Sequence, residues 1–149
     1  MIAAALNHEW IARQIPHHGR MCLLEEVIHW DGHSVRCRAV THRNRDHPLR
    51  AHGRLGAACG IEYAAQAMAV HGALTNPGPP RGGYLASVRG VRLHVARLDD
   101  VAGDLVCEAS RIAADGAAVL YRFSLYGDGR ELASGRAAIV FDASLQVTA

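Results

Sequence analysis

Glu62 is the only acidic group in an eighteen-residue stretch, Ala58 to Thr75, whose other residues are small or apolar on nearly every side. At 100° per residue the stretch reads as a helix, and a helix apolar almost all round is a buried one. The carboxyl it carries is then expected to be buried too. In a closed site desolvation outweighs the favourable helix dipole, so such a carboxyl keeps its proton near neutral pH. A protonated carboxylic acid beside a base is the requirement of general acid–base chemistry. The plainer alternative is a partly buried Glu satisfied by Arg. On the helical wheel Glu62 shares its face with Ala58, Ala65, Gln66, Ala69 and Ala73, while the bulkier Ile61, Met68 and Leu74 lie towards the flanks. A face of small residues admits a thin ligand or another backbone, and it equally suits tight packing on a sheet. Gln66, one turn after Glu62, can hydrogen-bond the carboxyl or a ligand carbonyl. Gln66, Ala58, Ala65 and Gly60 at the helix start are therefore the candidate substrate contacts.

A partner base has to come from elsewhere, and ten histidines are available. His42, His47 and His52 are spaced five apart in the polar stretch Thr41 to Gly56, and His17 and His18 are adjacent. Neither arrangement matches the HExxH face of a helical zinc site, so no metal is expected. All sixteen basic residues are Arg, which excludes a Schiff-base lysine. There is no G-x-S-x-G, P-loop or Rossmann glycine pattern. Cys22, Cys37, Cys59 and Cys107 form no CxxC and read as reduced, buried small hydrophobes.

The 149 residues, half of them hydrophobic and one fifth charged, suit one domain spanning 1–149. A net charge of +2 with scattered Arg does not suggest nucleic acid, although Arg suits phosphate or carboxylate partners. No segment offers ~20 lipid-compatible residues, and Met1 to Leu6 lacks the basic start of a signal peptide. A cytoplasmic protein without a membrane span is expected.

Along the chain, Asn7 to Gln14 reads as a short helix with Trp10 and Ile11 inward. Met21 to Trp30 and His33 to Val40 read as strands joined at Asp31-Gly32, a strong hairpin signal. Asn76 to Gly83 is a breaker cluster. Tyr84 to Val95, bending at Gly90, then Leu105 to Ile112, Val119 to Tyr126 and Leu132 to Phe141 complete the strands. Two strands, one long helix and four strands give an α+β fold: an antiparallel sheet wrapped around one long central helix. A single sheet leaves one side of that helix uncovered, so at least a dimer is expected.

Three segments carry a family resemblance. Ile15-Pro16-His17-His18-Gly19-Arg20-Met21-Cys22-Leu23-Leu24-Glu25-Glu26-Val27 resembles the LPHRxPxLLxDRV segment of the β-hydroxyacyl-acyl carrier protein dehydratases of the hotdog fold. Gly60 to Met68 resembles their LxEAMAQ helix, and Tyr84-Leu85-Ala86-Ser87-Val88 resembles their YFAGI strand. The chain is most similar to the dehydratase-like subfamily associated with aryl-polyene synthesis, whose helix reads G-I-E-Y-A-A-Q-A-M. The resemblance implies a single hotdog domain and dehydration of a (3R)-3-hydroxyacyl thioester to the trans-2-enoyl product. It implies Glu62 as the acid and a base histidine arriving from the loop before the helix, across a dimer interface. It also implies helix-start amides polarising the carbonyl, and acyl carrier protein as the partner, its phosphopantetheine carrying the substrate without further cofactor. The family motif G-H-F-P, with His about fourteen residues before the acid, has no direct counterpart here. His47, followed by Pro48 and fifteen residues before Glu62, is the first candidate base, and His52, ten before it, is the second. His17, the remaining catalytic candidate, matches a family histidine that is usually not the base and holds the leading loop instead. A hotdog thioesterase, and a catalytically degenerate subunit paired with a true dehydratase, are the competing readings. The oligomer is a homodimer or higher, or a heterodimer with a related dehydratase.

Overall fold

The structure, a computed structural model, describes residues 5–76 and 83–141. The start of the chain at 1–4 and the interior of the breaker cluster, 77–82, lie outside the described residues. Helix α1, His8–Gln14, begins where the Asn7 side chain accepts the Trp10 amide at 3.0 Å and buries Ile11 completely. The strand expected from Met21 starts later. Gly19 adopts φ +58°, which opens a 3₁₀ turn over Gly19–Met21, and β1 covers only Glu26–Trp30. Cys22, Leu23 and Leu24 are consecutive and all buried. A period-2 strand with one face to solvent would expose one of them, so the segment runs irregularly against the core instead.

At the β1–β2 turn, Asp31 Oδ1 accepts the amides of His33 and Ser34, both at 2.8 Å, and β2 follows as Ser34–Ala39. A 3₁₀ turn over Ala57–Cys59 then leads into α2, Gly60–Thr75, which places Glu62 in the first turn of the α-helix rather than the second. The remaining strands are β3 (Gly83–Leu93), β4 (Leu105–Ala114), β5 (Ala118–Gly127) and β6 (Arg130–Phe141). They form one six-stranded sheet in the order β1-β2-β4-β5-β6-β3, and every pair is antiparallel. The bend expected at Gly90 is present: its φ is +61° and the pairing of β3 with β6 shifts between Arg89 and Arg92.

One face of the sheet packs on α2. Cys37, Cys107, Ala109, Tyr121, Phe123 and Leu125 meet the helix side carrying Tyr63, Ala64, Ala67 and Val70, all buried. Gly60 faces this sheet as well: a Cβ there would sit 2.8 Å from Leu125 Cδ2. The opposite side of α2 is uncovered, with Ala58 and Ala69 exposed and Ile61, Glu62, Ala65 and Ala73 half-buried. Strand β3 lies at the sheet edge and exposes Tyr84, Leu85, Val91 and Leu93. Among the described residues no helix is long and apolar enough to cross a membrane.

Candidate active site

Glu62 sits on the open side of α2, and its side chain is 31% exposed, so the single chain does not bury it as the helix pattern predicted. The curved sheet covers the opposite face of α2, and among the described residues the loop carrying His17 covers the small-residue face only in part, leaving Ala69 exposed. Among the described residues the Glu62 carboxylate has two hydrogen-bonding neighbours. His17 Nε2 lies 2.8 Å from Oε1, and Gln66 Nε2 donates to the same oxygen at 3.2 Å. With Glu62 ionised, His17 Nε2 is the donor. Its Nδ1 is buried and has no partner among the described residues.

His17 reaches the helix because the leading loop is clamped to it. Gln66 is fully buried, and its amide is spent within the chain. Leu23 N–H donates to Oε1 at 2.9 Å, and Nε2 donates to Met21 O at 2.7 Å as well as to Glu62. Gln66 thus joins both sides of the His17–Glu62 contact and presents no free group to a ligand. Gly60 is likewise turned to the sheet. Of the four candidate substrate contacts, only Ala58 and Ala65 share the open face with Glu62.

The two loop histidines go elsewhere. His47 is buried beneath its own chain, with Leu49 N–H donating to Nδ1 at 3.0 Å. Nε2 therefore carries the proton and donates to Tyr63 Oη at 3.0 Å. The Tyr63 hydroxyl passes the next bond to Thr41 Oγ1 at 2.8 Å, which donates to Leu23 O at 2.9 Å. Desolvation pushes the His47 pKa below its ordinary value, and the Tyr63 phenol is pushed up to about 12 by burial. Both nitrogens of His47 are occupied. His52 is exposed at the tip of a tight turn, where it and Gly53 have φ of 54° and 76° between bridged Ala51 and Arg54. His42 is also buried, its Nε2 donating to Val101 O and Gly103 O, so the three evenly spaced histidines point to three different places.

Sequence reasoning ranked His17 behind the loop histidines and did not foresee Tyr63. A tyrosine in an alanine-rich buried helix must satisfy its hydroxyl, and that was the available signal. A cleft of about 310 Å³ lies next to these groups, lined by His8, Arg20, Cys22, Thr41, Asn44 and His47 among others, but it includes neither His17 nor Glu62.

The family described as ApeP-like: ApeP dehydratase has a sequence model that matches residues 10–148. No curated relative matches the sequence. Among solved structures, a chain of the dehydratase heterocomplex ApeI:P from Xenorhabdus doucetiae is similar at 23% identity, covering 92% of this chain and 93% of that one, with a TM-score of 0.78. Zebra fish thioesterase superfamily member 2 is similar at 16% identity over 94% of this chain and 100% of that one, TM-score 0.64. AziG of S. sahachiroi is similar at 14% identity over 87% and 98%, TM-score 0.64. These likenesses are of fold, and the fold is the hotdog.

Proposed function

We propose that this chain, which belongs to the ApeP-like dehydratase family, removes water from a (3R)-3-hydroxyacyl thioester with His17 and Glu62 as its proton-transferring pair. The activity is that of a 3-hydroxyacyl dehydratase-like lyase. The observation that carries the assignment of residues is the 2.8 Å contact between His17 Nε2 and Glu62 Oε1 on the small-residue face of α2.

Substrate enters by parting that contact, so that C2 lies against His17 and the 3-hydroxyl against Glu62. Removing water from around the pair penalises two opposite charges and favours the neutral form, a protonated Glu62 facing an unprotonated His17. His17 takes the C2 proton as the C2=C3 bond forms, the C3–O bond breaks, and Glu62 protonates the departing hydroxyl to water. The proton on His17 then returns to Glu62. Amides at the start of α2 polarise the thioester carbonyl. Gln66, Tyr63 and His47 act through hydrogen bonds that hold the two reacting groups in place.

The thioester arrives on the phosphopantetheine of an acyl carrier protein, and no further cofactor takes part in these steps. A second hotdog subunit, identical or a related dehydratase, closes the open face of α2. The exposed apolar residues of edge strand β3 support this, as does the likeness to a chain of a dehydratase heterocomplex. Cys37 and Cys107 face each other across β2 and β4 as free thiols, which fits a cytoplasmic location.

The test is incubation with 3-hydroxyacyl carrier protein, read by mass spectrometry. Loss of one water, abolished by Glu62→Gln, is expected. Release of the free acid without an enoyl intermediate would favour a thioesterase. Activity that appears only after a related dehydratase is added, and survives Glu62→Gln, would favour a degenerate subunit.

A further inference from the structure

Among the described residues the His17 imidazole has a single polar contact, the one to Glu62 Oε1 at 2.8 Å, and its Nδ1 has no partner. No second bond orients the ring. Its position is therefore set by the chain that carries it, and the nearest firmly held point of that chain after the Gly19 turn is the stretch Met21 to Leu23.

Leu23 is fully buried and lies before the start of β1, so side chains take the place of ladder partners for its backbone. Gln66 Oε1 accepts its N–H at 2.9 Å, and Thr41 Oγ1 donates to its carbonyl at 2.9 Å. The Gln66 bond comes directly from α2. The Thr41 bond comes from the 3₁₀ turn Thr41–Arg43 beyond β2 and is tied to α2 through Tyr63, three residues before Gln66 and about 60° round the helix. Leu23 is thus gripped from two directions. Either bond alone would leave it a pivot.

Every bond in the Thr41 tie has a fixed direction. Leu49 N–H occupies His47 Nδ1, so His47 Nε2–H donates to Tyr63 Oη, the Tyr63 hydroxyl donates to Thr41 Oγ1 at 2.8 Å, and Thr41 donates to Leu23 O. Reversing the middle bond would leave Leu23 O without a donor and set two protons between Tyr63 and His47.

We propose that Thr41 is a positioning residue of the reaction: its hydroxyl, held by Tyr63, fixes the Leu23 carbonyl and with it the loop that sets His17 against Glu62. This rests on the dehydratase reading above. Thr41 also lines the cleft of about 310 Å³, and a substrate contact there is the rival role. The hydrogen bonds oppose it, because the hydroxyl proton is already given to Leu23 O and no donor is left for a ligand.

The experiment measures dehydration of 3-hydroxyacyl carrier protein by the full chain and follows the His17 imidazole by ¹⁵N NMR in histidine-labelled protein. Glu62→Gln serves as the reference for a His17 without its carboxylate partner. Thr41→Val, which keeps the shape and removes the hydroxyl, is expected to lower kcat about tenfold to 10²-fold at unchanged KM and to move the His17 signal towards its position in Glu62→Gln. Thr41→Ser, which keeps the hydroxyl, should restore both. Combined with Gln66→Leu, Thr41→Val should cost less than the product of the two separate losses, since both bonds hold one residue. Should Thr41→Val fold poorly, Tyr63→Phe cuts the tie from the other end and is expected to give the same pair of changes at smaller size. Parental kcat with a parental His17 signal in the folded variants overturns the proposal. So does a rise in KM alone, or a Thr41→Ser as impaired as Thr41→Val. A parent inactive on the substrate contradicts the dehydratase reading, and the His17 signal still judges Thr41.

Discussion

Gln66 links three parts of the candidate site: Glu62 on its own helix, and Met21 O and Leu23 N on the loop that carries His17. Replacing it with leucine keeps much of the volume and leaves a buried N–H and C=O unpaired, at about 1–3 kcal/mol each. Gln66→Leu should therefore lower unfolding stability measurably in urea and reduce kcat more than KM, because it loosens the position of His17 rather than a substrate contact. A variant with parental stability and a raised KM alone would instead make Gln66 a ligand-binding group. Glu62 was legible in the sequence because a lone carboxyl among alanines stands out. His17 was not. Its approach depends on the turn at Gly19 and on the Gln66 clamp, neither of which spacing reveals, and counting back from Glu62 ranked His47 first. The burial of His47 against Tyr63 follows from the path of the 41–56 loop, which periodicity does not describe.

At the scale of elements, the strands and the central helix were readable from alternation and from the Asp-Gly turns, and their ends shifted where tertiary packing overrode the pattern. The segment after Met21 reads as a strand by composition, but three consecutive core residues and two side-chain clamps hold it irregular. Close packing between elements was less visible. Gly135 of β6 lies under the Phe123 ring, and a Cβ there would meet Phe123 Cζ at 2.8 Å and Val91 Cγ2 at 3.2 Å. Gly135→Ala is thus expected to overpack the β5–β6–β3 contact and destabilise by about 1–3 kcal/mol, read as a lower urea midpoint with an unchanged m-value. An unchanged midpoint would mean that the Phe123 ring has room to move.

Across the whole molecule, three buried histidines tie the sheet, loop and helix together as neutral groups. His71 donates from Nε2 to Asp31 O and accepts the Tyr121 hydroxyl at Nδ1, while His42 and His47 hold the contacts described above. Burial lowers the pKa of all three in the fold from the ordinary 6.5. Below that ordinary value the unfolded chain binds protons that the native state refuses. Stability is then fully present well above pH 6.5 and falls as pH drops through and below that value, by up to about 1.4 kcal/mol per pH unit for each histidine. Urea unfolding across that range should show the decline, and a flat profile would mean that the three titrate alike in both states.

The central claim, that His17 and not a loop histidine is the base opposite Glu62, is tested most directly by comparing His17→Ala with His47→Ala in one dehydration assay on carrier-bound substrate. His17→Ala is expected to fold normally and to lose about 10²–10⁴-fold in kcat, while His47→Ala loses stability yet its folded fraction still dehydrates. An active His17→Ala beside a well-folded but inactive His47→Ala would contradict the account and return the base to the loop before α2.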